Sequence, residues 1–144
     1  MPVQNKNLIR RAVEEVWNRG NFTVLGELVT SDFVVHSAVP GDEIHGREGI
    51  KQFYMMLRHA FPDIHFTIED QVAEGERVVT HWTAQGTHRG EFKGPATSKH
   101  FSIRAIDIDR IVDGKVVERW TSLDQFDLLR QLGILSPVEM ESVK

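Results

Sequence analysis

The first sixty residues place their apolar side chains at helical spacing. Residues 8–17 carry apolar pairs every four positions, which makes one stripe along an amphipathic helix. Gly20 follows, where a left-handed residue typically ends a helix. Residues 22–29 predict a shorter helical piece, and residues 50–61 predict a third helix that Pro62 stops. The N-terminal part of the chain is therefore predicted to be mainly helical.

Beyond Pro62 the apolar period changes from that of a helix to that of a strand. A brief extended segment at residues 33–41, ended by Pro40-Gly41, comes before this change. Later, apolar and polar residues alternate in three segments, each of which predicts a strand. These segments begin at Ile64, Arg77 and Lys99.

Asp113-Gly114 is a two-residue signal for a type I′ hairpin turn, and it predicts a further strand at residues 115–122. Regular pairing from this turn places three pairs on one face of the sheet. They are Asp109 with Glu118, Asp107 with Trp120, and Ile103 with Asp124. A single bulge would exchange the two faces, so the pairing is most secure near the turn. A last helix is predicted from Asp124 to Gly133.

Helices followed by antiparallel strands indicate an α+β fold. The helices could lie flat on an open sheet, or the antiparallel sheet could curve so that the N-terminal helices close a cone around a pocket. Gly86 in mid-strand and polar residues on both strand faces favour the cone. Without repeats or linkers, residues 1–144 are predicted to form a single domain, with a core at about 5–134 and a tail at 135–144.

The composition of the chain excludes several classes of partner and of chemistry. The net charge of −4 and the scattered Lys and Arg residues argue against a nucleic-acid partner. The absence of cysteine excludes disulfides and thiolate chemistry. Because no secretion signal or membrane-spanning run is found, the sequence predicts a cytoplasmic protein without a membrane partner.

The sequence also lacks the spacing of known metal, phosphate and nucleophile motifs. No metal or other cofactor is therefore expected. Proton transfer by side chains is the chemistry that remains.

Asp124 is the leading candidate for that chemistry. It begins the last helix, with Asp127 three residues later, so helix capping explains it without any catalytic role. A catalytic role requires Trp120 and Leu123 to keep the carboxylate away from water, since desolvation raises a carboxyl pKa toward neutrality. The two roles are compatible.

Several other polar and aromatic residues are candidates for the same site. Of seven histidines, His36 is the best placed, in a short strand beside a turn, although a structural role is the commoner one for any single histidine. The remaining candidates for contact with a substrate are His81, His88, Trp82, Trp120, Tyr54 and Phe53. Ordinary core packing would also explain many of these aromatic residues.

Four stretches together resemble the SnoaL-like polyketide cyclase, or ester cyclase, family. They are "EEVWNRGN", "HGREGIKQFYMMLRHAFPDIHFTIED", "VVTHWTAQGTHRGEFKGPATSKHF" and "IDRIVDGKVVERWTSLDQFDLLRQLG". The resemblance covers about residues 5–134 and implies the cone-shaped fold of the nuclear-transport-factor-2-like superfamily. It also implies a homo-oligomer and a small apolar substrate.

The resemblance implies that Asp124 is the general acid/base of an intramolecular aldol ring closure. The assisting position, often a histidine in the family, falls at or near Arg110. Arginine cannot exchange protons at neutral pH but can hold an oxyanion, a role that His36 or His81 could also fill.

Other functions remain open on the same fold. One class comprises isomerases, dehydratases and epoxide hydrolases. The resemblance implies that an epoxide hydrolase would carry an Asp-Arg-Asp arrangement, with an Arg-x-Asp step on one strand. The segment "RAIDIDRIV" lacks this step. The other class is a non-catalytic module for small-molecule binding or dimerisation.

Overall fold

The computed structural model describes residues 2–37 and 43–134. The predicted Pro40-Gly41 turn and the predicted tail lie outside these residues. Within them, helices come first and most strands follow, as the change of period predicts.

The N-terminal helix has two parts. Helix α1 (Pro2–Arg11) continues into a π-helical segment, Ala12–Asn18, which buries most of the apolar stripe. Gly20 follows in the left-handed region. A 3-10 turn, Phe22–Val24, and helix α2 (Leu25–Leu28) form the short second piece.

Two further helices complete the set in the described part of the chain. Helix α3 (Gly46–Ala60) presents an apolar stripe to the core. Helix α4 (Gln125–Leu132) ends at Gly133, as predicted, and Gly133 is a left-handed cap with a φ of 72°. Pro62 lies just beyond the end of α3, as predicted.

Six strands form one sheet. They are β1 (Val29–His36), β2 (Ile44–His45), β3 (His65–Glu74), β4 (Arg77–Thr87), β5 (His100–Val112) and β6 (Lys115–Leu123). Their order is β2-β1-β6-β5-β4-β3. The sheet is curved, and the predicted α+β cone is confirmed.

The sheet is antiparallel, as predicted, except for one pair of strands that the sequence did not reveal. Strand β1 pairs with β6 in parallel, while the other neighbours are antiparallel. The helical α3 region separates β1 from the later strands, and local sequence patterns carry no signal for a pairing between such distant segments.

Side chains alternate between two faces of the curved sheet. On β5 the odd-numbered residues are buried beneath the helices, and the even-numbered ones face outward. We call these the inner and outer faces. The large apolar side chains of β3 and β4 join the inner face, including Phe66 and Trp82.

A β-bulge in β6 decides which polar residues lie on the inner face. Near the turn, Ile111 pairs with Val116 as predicted, but Arg110 then pairs with Glu118 because Val117 is an extra residue. The predicted pairing beyond Val116 is therefore wrong by one residue. Arg119 consequently faces Asp109 on the inner face, where regular pairing would have placed Glu118.

Candidate functional site

The inner face carries a buried cluster of charged side chains at the centre of the sheet. Arg119 donates from Nε to Asp109 Oδ1 at 2.6 Å, and the same Nε lies 3.7 Å from Asp107 Oδ2. Arg119 also donates from Nη1 to the Tyr54 hydroxyl at 3.4 Å. One cation therefore holds two carboxylates and a phenol in one water-poor site.

Aromatic rings surround the guanidinium group. The Arg119 guanidinium carbon lies 5.0 Å from the Trp17 ring centre and 5.6 Å from that of Phe33. Trp17 belongs to the π-helical segment, a type of distortion that often occurs at functional sites. Cation–π attraction adds to the ion pairs that hold Arg119.

Burial shifts the pKa values of the acidic members. Desolvation raises the pKa of Asp109 to about 6, although the charge of Arg119 opposes this shift. Desolvation likewise raises the pKa of Asp107, against the opposing effects of Arg119 and of Thr121, which donates to Asp107 Oδ1 at 2.5 Å. The pKa of the Tyr54 hydroxyl is also raised by burial, so this group remains a proton donor at neutral pH.

The space around this cluster is small in this structure. A cavity of about 20 Å³ is lined by Trp17, Phe33, Tyr54 and Arg119 together with aliphatic side chains. That volume holds about one water molecule. Asp109 Oδ2 is buried without a hydrogen-bond partner, so the cluster retains one free acceptor.

A larger groove of about 320 Å³ lies elsewhere on the sheet, at the end of β6 that leads into α4. Its lining is His81, Arg104, Ala105, Ile106, Ser122, Leu123 and Asp124. It brings two sequence candidates together, Asp124 and His81. Its size is at the lower end of the range for small-molecule pockets.

Asp124 is exposed, and its Oδ1 accepts a hydrogen bond from the Asp127 backbone N–H at 2.9 Å. The expected helix cap is confirmed. A catalytic role required Trp120 and Leu123 to exclude water from this carboxylate, and this condition is not met, because β6 ends here and Leu123 is itself exposed.

Three other candidates meet on the outer face, away from the buried cluster. His36 Nε2 lies 2.6 Å from Glu118 Oε2, and its ring stacks on Trp120 with centres 5.6 Å apart. Arg110 Nε lies 3.5 Å from Glu118 Oε1. The assisting position predicted at or near Arg110 thus faces outward, whereas the preceding residue, Asp109, faces inward.

The remaining aromatic candidates belong to the inner layer. Trp82 is buried with its ring centre 5.6 Å from that of Trp17, and Phe53 packs edge-on against Tyr54. Tyr54 accepts a hydrogen bond from Arg119, and the Trp82 side chain interacts with Asp107.

His88 is fully buried in the loop after β4, where its Nδ1 accepts from the Thr97 backbone N–H at 3.3 Å. It lines neither of the two cavities described above. Its observed role is to hold the loop between β4 and β5 against Phe61.

No functional role was predicted from the sequence for Asp107, Asp109 or Arg119. The sequence nevertheless contained a signal for a buried charged site. Charged side chains on the buried face of a strand cost folding free energy unless they are paired with opposite charges. Asp107 and Asp109 share one face of β5, but their partner became visible only with the bulge at Val117.

The described residues contain neither a metal-binding cluster nor a membrane-spanning helix. No three His, Asp or Glu side chains in residues 2–37 and 43–134 lie close enough together to hold a metal ion. No helix within those ranges has the length and apolar character of a membrane span. The predicted cytoplasmic location remains a prediction.

The fold and its inner site define a nuclear-transport-factor-2-like protein, and comparisons identify its family. The model of the SnoaL-like polyketide cyclase family matches residues 7–132. The chain belongs to this family. The resemblance found in the sequence is thereby confirmed.

Individual relatives agree with this assignment. The aklanonic acid methyl ester cyclase DnrD of Streptomyces peucetius is 30% identical over 130 residues, which are 88% of this chain and 89% of DnrD. The crystal structure of IdmH from Streptomyces antibioticus is 35% identical with a TM-score of 0.78, and the match covers 90% of this chain and 99% of IdmH. A SnoaL-like protein from Jannaschia sp. CCS1, at 22% identity, supports the fold alone: its TM-score is 0.84 over 94% and 95% of the two chains.

We predict that Arg119→Met lowers the free energy of unfolding by about 3–5 kcal/mol, because it leaves two carboxylates buried without their cation. Urea unfolding at pH 7 measures the effect. Arg104→Met is the matched control, since Arg104 is exposed and its loss should change stability by less than about 0.5 kcal/mol. Equal losses in the two variants would contradict the role of Arg119.

The raised pKa of Asp109 predicts a pH dependence of stability. Between about pH 4 and pH 6 the folded chain holds a proton that the unfolded chain has released, so stability should fall as pH rises through this range. The contribution is at most about 3 kcal/mol. Urea unfolding from pH 4 to pH 7 should show a shallower fall for Asp109→Asn than for the wild type; parallel curves would contradict the assignment.

Proposed function

We propose that the protein is a cofactor-free enzyme of the cyclase type, which closes a ring in a small apolar keto or polyketide-like molecule by an intramolecular aldol reaction. The observation that carries this proposal is Asp109, a fully buried carboxyl with a pKa of about 6 and one free oxygen, held beside Arg119. Membership of the SnoaL-like family supports the reaction class.

Asp109 is the proposed general base. A carboxylate with a pKa near 6 is largely ionised at pH 7 and still basic enough to accept a proton from an acidified C–H group. Its Oδ1 is held by Arg119, which leaves Oδ2 to receive the proton. The resulting enolate carbon attacks a second carbonyl of the same molecule, and the proton passes from Asp109 to the new alkoxide. Atoms and charge are then balanced, and Asp109 is restored.

Tyr54 and Arg119 are the proposed stabilisers of negative charge. The Tyr54 hydroxyl stays protonated because burial raises its pKa, so it can donate to an enolate oxygen. The Arg119 guanidinium group remains charged between the two carboxylates. Both groups are held in place by packing, which limits reorganisation during the reaction.

The walls of the site suit an apolar molecule. Trp17 and Phe33 line the small cavity together with aliphatic side chains, and a substrate larger than water requires the helices to separate from the sheet. The small apolar ligand and the homo-oligomer expected from the sequence remain predictions.

The groove beside Asp124 is a second candidate location for the same chemistry. It offers about 320 Å³ of space and combines the Asp124 carboxylate with His81 and Arg104. Asp124 is exposed there, so solvent weakens the case for it as a base at neutral pH. The proposed oxyanion roles of Arg110 and His36 lack support from this groove, since neither residue lines it.

A second reaction, epoxide hydrolysis, is favoured by one specific observation. Asp107 and Asp109 flank Arg119, which gives in space the Asp-Arg-Asp arrangement whose sequence step is missing. In that reaction one carboxylate removes a proton from water, and the second acid donates a proton to the epoxide oxygen. The pKa values of both carboxyls are raised, as such paired roles need.

We predict that Asp109→Asn lowers kcat/KM for cyclisation by about 10²–10⁴-fold, because it removes the general base. Aklanonic acid methyl ester, the compound in the name of DnrD, is the first substrate to assay. Asp124→Asn is measured in parallel and should change kcat/KM by less than about tenfold.

The reverse pattern, with the large loss in Asp124→Asn, would move the chemistry to the groove. Unchanged turnover in both variants would reject the acid/base proposal. A simple aryl epoxide belongs in the same assay: hydrolysis that depends on Asp107 as well as Asp109, without cyclisation, would establish the second reaction instead.

A further inference from the structure

A groove on the outer face of the sheet carries exposed apolar side chains. It has a volume of about 320 Å³ and lies beside the junction of β6 and α4. Ile106 and Leu123 line it, and they are 49% and 36% exposed although both are large apolar residues. Apolar residues that share one concave surface are typical of a place where another segment packs. The groove is therefore a candidate docking surface.

Two basic side chains, one in the groove and one at the end of α4, have no partner in the described part of the chain. Arg104 lines the groove, and Lys99 Nζ lies beside Gly133. Both basic residues are exposed, and neither makes a side-chain hydrogen bond or an ion pair within the described residues. The acidic residue of the lining, Asp124, is already engaged as the cap of α4. The surroundings of the groove thus favour an acidic occupant.

Helix α4 brings the end of the described chain close to the groove. Gln131 donates from Nε2 to the Ser102 backbone oxygen at 3.0 Å, and its Oε1 accepts from the Ser102 N–H at 2.8 Å. The helix is thereby held along β5, whose next outward-facing residue is Arg104. Two residues of a strand span about 7 Å. The chain therefore leaves α4 a short distance from the groove.

The tail that follows, residues 135–144, lies outside the described residues, and its sequence suits the groove. Val138 and Met140 alternate with Glu139 and Glu141. Alternation of this kind gives an extended segment one apolar side and one acidic side. A segment of this length spans up to about 33 Å when extended, which is enough to reach the groove and cross it.

We propose that the tail docks in the outer groove of its own chain. Its apolar side covers Ile106 and Leu123, and its acidic side meets the long side chains of Arg104 and Lys99. A docked tail covers Asp124 and closes this second candidate location to a substrate. The docking does not depend on which reaction the inner site catalyses.

The covalent link favours the chain's own tail over a separate partner. A short tether holds its free end at an effective concentration in the millimolar range. A contact that is too weak to join two separate molecules is then occupied within one chain. Exposed ion pairs contribute modestly to affinity, but they help to fix the register of the contact.

A spin label on the tail tests the docking in the full chain. Because the sequence has no cysteine, Ser142→Cys gives a single site for a nitroxide label. In an isotope-labelled sample, the amide signals of residues 104–106 and 122–124 should be broadened most strongly. Similar broadening on every surface around the end of α4 is the result expected of a tail that does not dock, and it would overturn the proposal.

Charge reversal separates docking from chance proximity. With the label in place, Arg104→Glu should lower the broadening at the groove about twofold or more, since it replaces an attraction by a repulsion. Arg10→Glu, at an exposed position of α1, is the matched control and should leave the broadening unchanged. Adding Glu139→Arg and Glu141→Arg to Arg104→Glu should restore it. Equal broadening with and without Arg104→Glu would contradict the proposal.

A mixed sample distinguishes other occupants of the groove. Isotope-labelled chains without the spin label are combined with spin-labelled chains that carry no isotope. Docking within one chain predicts no broadening in this sample. Broadening at the groove would show that the tail of a second copy docks there, and groove signals that shift with protein concentration would show that a second copy covers the face itself. Either result would overturn docking within one chain.

Discussion

The ion pair between Arg119 and Asp109 is the interaction on which the inner face depends. An arginine residue that is 4% exposed is stable only when carboxylates compensate its charge. Asp109 and Asp107 do so from β5, and Tyr54 and the rings of Trp17 and Phe33 complete the surroundings. The pairing of β5 with β6, the position of α3 and the π-helical segment all converge on this cation.

Much of the fold follows from local patterns in the sequence. Alternation located β3 to β5. Asp113-Gly114 located the hairpin and with it β6, and both turn residues adopt the positive φ that a type I′ turn requires. Two features escaped because neither is local. The parallel pairing of β1 with β6 joins distant segments, and the bulge at Val117 became evident only from the full register. That bulge determines whether Arg119 or Glu118 enters the core.

The site was harder to predict than the fold for a related reason. Asp124 and Asp109 both lie near the end of a predicted element, and sequence patterns alone do not predict which of the two carboxylates is buried. Asp124 caps the N-terminus of α4, as expected, and its carboxylate is exposed to solvent there. Asp109 lies beneath the helices, where an apolar residue would be the ordinary choice. The resemblance to the family directed attention to Arg110, whose side chain faces outward, one residue away from the inward-facing Asp109.

The inner face is polar where a purely structural core would be apolar. Replacing a buried ion-pair network by hydrocarbon side chains is often neutral or stabilising, so packing alone gives no reason for Asp107, Asp109 and Arg119. Nor does packing account for Gln71 Oε1 and Asp109 Oδ2, buried acceptors without a partner that oppose folding. The buried ion-pair network is therefore the feature of the inner face that stability alone does not explain.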